Sequence, residues 1–193
     1  NVYATGSFEG TVDFDPDPDI TYLLSSAGAT DIYVAKFDPN GNLLWAKSMG
    51  GLADDVCESM TLDPAGNVFT TGRHDSAADF NPDPAVTYTL PGSGAFVSVI
   101  DANGDFVSAK TMNETGVTVR SYDIALDGMG NVLTTGTFYG TVDFDPDSVT
   151  SYFLTSTSYD IFVSKIDPEG GFVFAKQMGG PSYDIGSAVS ASG

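Results

Sequence analysis

The chain is written three times, and this constrains its fold more than any other feature. Asn1-Val2-Tyr3-Ala4-Thr5-Gly6 returns as Asn67-Val68-Phe69-Thr70-Thr71-Gly72 and as Asn131-Val132-Leu133-Thr134-Thr135-Gly136. The copies span 1–66, 67–130 and 131–193. The last stops at Ala191-Ser192-Gly193, where the earlier copies read Pro64-Ala65-Gly66 and Gly128-Met129-Gly130. A repeat of this period dictates architecture before any single residue does. It predicts one quasi-symmetric body rather than unlike domains.

Each copy has the same order of parts. In the first, Val2–Phe8 leads to an acidic loop (12–19), a short apolar run (Thr21–Leu24), then Asp31–Asp38, a turn, Leu43–Met49 and Glu58–Asp63. The runs are short, rich in Val, Ile, Tyr, Phe and Thr, and bounded by Gly, Pro, Asn and Asp, which is the signature of strands. Ile32 and Val34 alternate with Tyr33, Ala35 and Phe37, so both faces of that strand are apolar and belong between layers. Almost no helix is expected. Asp38-Pro39-Asn40-Gly41-Asn42 recurs at 101–105 and 167–171. Pro and Gly there suit a hairpin turn with a bulge. Asp63 and Asp127 open the equivalent turn of a second hairpin.

Two hairpins per copy give four strands, A to D. Four-stranded sheets repeated side by side are the blades of a β-propeller. The expected fold is therefore all-β: three four-stranded propeller-type blades, part of a ring or an open array. Each blade carries an insertion that holds the acidic loop. The repeat boundary cuts a hairpin, so the chain starts on strand B and ends on strand A. Closed propellers have four or more blades. Ile185–Ser190 and Val2–Phe8 are accordingly expected to pair across a head-to-tail junction, with copies of the chain or with adjacent repeats of a longer one.

The run Ile32-Tyr33-Val34-Ala35-Lys36-Phe37-Asp38-Pro39-Asn40-Gly41-Asn42-Leu43-Leu44-Trp45-Ala46-Lys47, followed by Met49-Gly50-Gly51, resembles the SBBP β-propeller repeat. Gly180, Asp184, Asn131-Val132 and Thr135-Gly136 fit its other anchors. The resemblance is to versions with an inserted Asp-Phe-Asp-Pro loop, found in large secreted bacterial surface proteins. It implies a propeller fold, an extracellular or cell-surface setting and no catalytic residues. The middle copy departs most: Val99 stands for Lys36, Ser108 for Trp45 and Asn113-Glu114 for Gly50-Gly51.

The net charge of −19 disfavours nucleic acid and anionic membranes as partners. No apolar run approaches the length that spans a bilayer. The acid is 22 Asp against 4 Glu. Asp favours turns and oxygen-rich metal sites. The candidate ligands lie in the acidic loops: Asp13, Asp15, Asp17 and Asp19, then Asp79, Asn81 and Asp83, then Asp143, Asp145 and Asp147. Oxygen donors at alternating positions suit Ca²⁺, which takes six to eight of them. The competing reading is a Pro-stiffened loop whose Asp residues cap its own turns.

Five lysines keep repeat register: Lys36 and Lys165 on strand C, Lys47, Lys110 and Lys176 on strand D. They are expected to form structural ion pairs with Asp31/Asp160 or Asp55/Asp184. His74, the sole histidine, stands where the other copies have Phe8 and Phe138, and reads as a packing residue. Cys57 is alone and reads as buried and apolar. Asn113-Glu114-Thr115 is a glycosylation sequon.

With the setting that the resemblance implies, the expected function is a non-enzymatic extracellular structural or adhesive module, calcium-stabilised, that assembles through open ends. The alternatives are a propeller that binds surface glycans or proteins on one loop face, and an inert spacer. Trp45, on a strand, offers no sugar platform.

Overall fold

The computed structural model describes residues 1–113, 117–147 and 149–192. Among them there are thirteen strands and no helix. Three sheets stand side by side. The first holds β1 (Val2–Asp13), β2 (Leu23–Phe37) and β3 (Leu43–Gly51). The second runs β4 (Asp55–Leu62), β5 (Val68–His74), β8 (Gly94–Ile100) and β9 (Phe106–Asn113). Its insertion carries two short strands, β6 (Ala78–Asp79) and β7 (Thr89–Leu90). The third runs β10 (Thr118–Leu126), β11 (Val132–Asp143), β12 (Phe153–Ile166) and β13 (Phe172–Met178). Neighbours within each sheet are antiparallel.

The hairpin turns form as their sequences require. Asp38 accepts backbone N–H bonds from Asn40 (2.7 Å) and Asn42 (2.9 Å), and Asp101 does the same for Asn103 and Asp105. The Asn42 side chain and these backbone donors hold the Asp38 carboxyl below its ordinary pKa. These aspartates serve turns.

The insertions differ from the expected short separate strand. β1 and β11 run unbroken for 12 residues each, and the apolar run at 21–24 is split by the start of β2. The register of each long hairpin shifts at or beside a positive-φ glycine, Gly10 (φ 70°) and Gly140 (φ 90°). Glycine adopts that backbone freely. The middle copy has Ser76 at this position, and its strand breaks into β5 and β6.

The cores lie between sheets. Ile32, Val34, Met49, Phe80, Phe96 and Ile100 join the first sheet to the second. Met112, Val119, Phe138, Val142, Phe144 and Phe162 join the second to the third. The A strands are neighbours: β4 packs against β1 on one side and β10 on the other. Residues 184–189 occupy the next A position. Asp184 N–H donates to the Tyr159 carbonyl (2.7 Å) and Thr137 Oγ1 to the Asp184 carbonyl (2.9 Å). Asp123 on β10 accepts from Ser59 of β4 (2.7 Å) and from Val189 N–H (2.8 Å). The strand expected at Ile185–Ser190 is nevertheless not formed. Its backbone lies at the A position with no B strand beside it.

His74 is fully buried and takes its predicted packing place, edge-on to Phe80 at 5.9 Å. Its Nε2 lies 2.9 Å from Thr111 Oγ1 and its Nδ1 2.8 Å from the Ser76 carbonyl. Burial lowers its pKa. Below about pH 6.5 the unfolded chain therefore binds a proton that the folded imidazole refuses, and stability falls with pH. His74→Phe is expected to remove that component, read as the difference between wild-type and variant melting temperatures from pH 7 to pH 5.

Candidate functional site

Two features repeat with the fold and reach its surface: the acidic loops and the joints between sheets. In each loop the first Asp clamps both ends. Asp13 Oδ1 accepts from Asp15 N–H (3.1 Å) and Tyr22 N–H (2.8 Å), and Asp79 and Asp143 do the same for Asn81 with Tyr88 and Asp145 with Tyr152. The next positions continue the pattern. Asp15 accepts from Asp17, Asp17 from Asp19, Asn81 from Asp83, Asp83 from Ala85, Asp145 from Asp147 and Asp147 from Val149, all within 2.9–3.0 Å. Each loop is thus a ladder of side-chain-capped turns. Asp19 sits at the exposed end of the first. Among the described residues, no group of three or more His, Cys, Asp or Glu side chains gathers in a way that would hold a metal ion.

The Phe between the first two acids plugs each loop onto its sheet. Phe80 and Phe144 are fully buried, with ring centroids 4.8 Å from Phe96 and 5.0 Å from Phe162. The loop stems also bridge sheets, because Asp79 and Ala78 pair with Gly50 and Gly51, and Asp143 pairs with Asn113. An open cleft of about 680 Å³ follows between the second and third sheets. Asp143, Asp145, Asp147, Asp167 and Glu169 line it with Lys110.

The lysines do not make the expected pairs with Asp31, Asp55, Asp160 or Asp184. Lys36 Nζ donates to the Ala102 carbonyl of the next sheet (2.6 Å) and lies over the rings of Tyr3 (5.3 Å) and Trp45 (5.9 Å). The stems of Lys47 and Lys110 lie against Gly104 and Gly170, again on the next sheet. Lys165 pairs with Asp127 (2.7 Å) and, with Asn131, holds that carboxyl well below the usual range. Three of the five lysines thus reach across joints. Trp45 donates Nε1–H to the same Ala102 carbonyl (3.3 Å), which commits it to the joint.

Cys57 is also a joint residue. Thr5 Oγ1 donates to its sulfur (3.1 Å), and burial pushes its thiol up to about 11, so little thiolate forms at neutral pH. Of the sequon, Asn113 donates Nδ2–H to the Pro91 carbonyl (3.1 Å), and Glu114 and Thr115 lie outside the described residues. No described helix is long and apolar enough to cross a membrane.

The joint residues that sequence reasoning missed are small and acidic. Gly72 and Gly136 let the neighbouring strand lie close: a Cβ there would fall 1.9 Å from the carbonyl oxygens of Val56 and Arg120. The signal was the third-copy match of Gly6, Gly72 and Gly136.

No family model matches the chain, so its likeness to the SBBP repeat rests on the residues alone. The chain is 25% identical over 178 residues to an uncharacterised WD repeat-containing protein of Acanthamoeba polyphaga mimivirus. That alignment covers 86% of this chain and 13% of the viral protein. The relationship is a distant one to a repeat protein. The chain is an all-β, non-enzymatic scaffold of repeated antiparallel sheets, three strands in the first and four in each of the others.

Proposed function

We propose that the chain is a protein–protein interaction module whose two end faces each take another unit of the same repeat, head to tail. One observation carries this reading. Positions buried at the inner joints are open at the ends. Met49 and Met112 are 2% and 4% exposed, and Met178, at the same position of the third copy, is 49% exposed. Val68 and Val132 are 0% and 3% exposed, and Val2 is 57% exposed. Burying such a side chain contributes about 1.5–3 kcal/mol. The inner joints also give the register. Cys57 pairs with Gly72 and Leu62 with Val68, as Ser121 pairs with Gly136 and Leu126 with Val132. Transferred to the ends, Gly186 meets Gly6 and Ala191 meets Val2.

The unit at each end is a second copy of this chain or the adjacent repeat of a longer one. In either case the two open faces of the free chain are complementary, and self-association at micromolar concentration is expected. Met178→Asp places a charge in that face and is expected to weaken association at least tenfold, read by sedimentation velocity. Wild-type chain that stays at 20.1 kDa at every concentration contradicts the proposal.

An extracellular or cell-surface setting and an adhesive role belong to the same reading and rest on the SBBP likeness. Calcium at the acidic loops stands as a separate proposal. The exposed carboxylates of Asp17 and Asp19 favour it, and the ladder of capped turns closes the loops without an ion.

A further inference from the structure

Among the described residues, three buried carboxylate oxygens have no hydrogen-bond partner: Oδ1 of Asp31, Asp55 and Asp160. Asp31 is 3% exposed and Asp55 is fully buried. An ionised carboxylate held this way is strongly disfavoured unless something neutralises it. Lys36 and Lys165 are engaged elsewhere, and no lysine pairs with these acids among the described residues.

The two acids of the first joint meet at a pair of glycines. Asp55 Oδ2 accepts from Gly51 N–H (2.6 Å), and Asp31 Oδ2 accepts from Ala27 N–H (2.9 Å). Asp31 Oδ1 lies over Gly50, where a Cβ would fall 2.5 Å from it. Asp31 Oδ1 and Asp55 Oδ1 are thus both left without a donor beside this glycine pair.

The third copy repeats the arrangement. Gly180 N–H donates to Asp184 Oδ2 (2.9 Å), and a Cβ on Gly179 would fall 2.5 Å from Asp160 Oδ1. There Gln177 Nε2 bonds the other Asp160 oxygen (2.6 Å). The middle copy lacks the whole set: Gly94 stands for Asp31, Asn113-Glu114 for the two glycines and Val119 for Asp55. Two acids and two glycines leaving together is what a set with one shared task would show.

We propose that Asp31 with Asp55, and Asp160 with Asp184, each bind a hard divalent cation of the Ca²⁺ class. Each pair supplies two negative charges and at least one unpartnered oxygen at a joint too crowded for a side chain over the glycine. Ca²⁺ takes oxygen ligands in flexible numbers, so carbonyls and water complete the shell. The ion would tie the end of one sheet's D strand to the A position of the next.

The test is calcium titration of the full chain at pH 8 by calorimetry, with melting temperatures in Ca²⁺ and in chelator. At least two ions per chain and a higher melting temperature in Ca²⁺ are expected. Asp55→Asn or Asp31→Asn lowers the stoichiometry by one, and adding Asp184→Asn lowers it by two. Asp13→Asn with Asp15→Asn changes neither site. Gly50→Ala keeps both acids but crowds Asp31, and is expected to weaken the first site at least tenfold. That variant decides the matter if the Asn variants fail to fold. Three results overturn the proposal: no response to millimolar Ca²⁺, a response lost in the loop variant and kept in Asp55→Asn, or a chelated protein that acid alone stabilises while Ca²⁺ does nothing.

Discussion

Gly136→Ala is expected to cost the fold about 3 kcal/mol, and Gly6→Ala much less than that. The two glycines hold the same place in the repeat. A Cβ on Gly136 would fall 1.9 Å from the Arg120 carbonyl oxygen, and β10 cannot retreat without breaking its pairing with β11. A Cβ on Gly6 meets only the ring of Tyr33, at 3.0 Å, and a ring edge can shift by the few tenths of an ångström required. Urea unfolding of the two variants reads the difference. The same logic makes Gly6→Ala a probe of association. Once an A strand from another unit lies beside β1, its carbonyl would sit where the new methyl projects. The variant is expected to keep its fold and lose its neighbour. A Gly6→Ala variant that associates like the wild type would show that β1 is not paired in the predicted register.

The second large effect is expected at the loop plug. Phe144→Ala leaves a cavity against Phe138 and Phe162 and should cost about 3–5 kcal/mol. Phe14→Ala removes the same residue from the first copy, where the ring is only half-buried against Phe8 and Tyr33. Its cost should be well under half as large. Thermal unfolding separates the two, and equal costs would contradict the joint-by-joint burial described above. The contrast also bears on the loops. Their position depends on a buried ring between two sheets, so Phe144→Ala should loosen the acidic ladder without touching an acid.

Much of this was legible in the repeat. The turn aspartates announced themselves, because Asp followed three residues later by Gly closes a hairpin by its own backbone bonds. Strand faces were legible where both sides are apolar, as at Ile32 and Val34. The length of the insertion hairpins was not. It depends on the positive φ of Gly10 and Gly140, and a single glycine between two apolar runs reads equally as an end. The lysine register was seen but assigned to the wrong partners. Recurrence shows that Lys36 or Lys47 has a fixed task, but the pattern within one copy does not say which sheet the side chain faces. The A-strand sequence at 185–190 was legible as a strand, yet no strand forms there, because no B strand lies beside it among the described residues. The buried acids were the least legible part. Asp55 follows the glycine pair by a turn and Asp31 faces it across the β2–β3 hairpin, but nothing in the sequence shows that their outer oxygens end up without a donor.

The central claim is that β1 and the segment at 184–191 are two halves of one joint. Leu62 pairs with Val68 and Leu126 with Val132, so Ala191 of one unit should lie opposite Val2 of the next. The direct measurement is oxidation of the Val2→Cys, Ala191→Cys double variant, followed by denaturing electrophoresis. Cys57 is buried and stays out of the reaction. The predicted result is a ladder at multiples of 20.1 kDa that vanishes on reduction. A chain that remains a single unlinked band under the same oxidation would contradict the account.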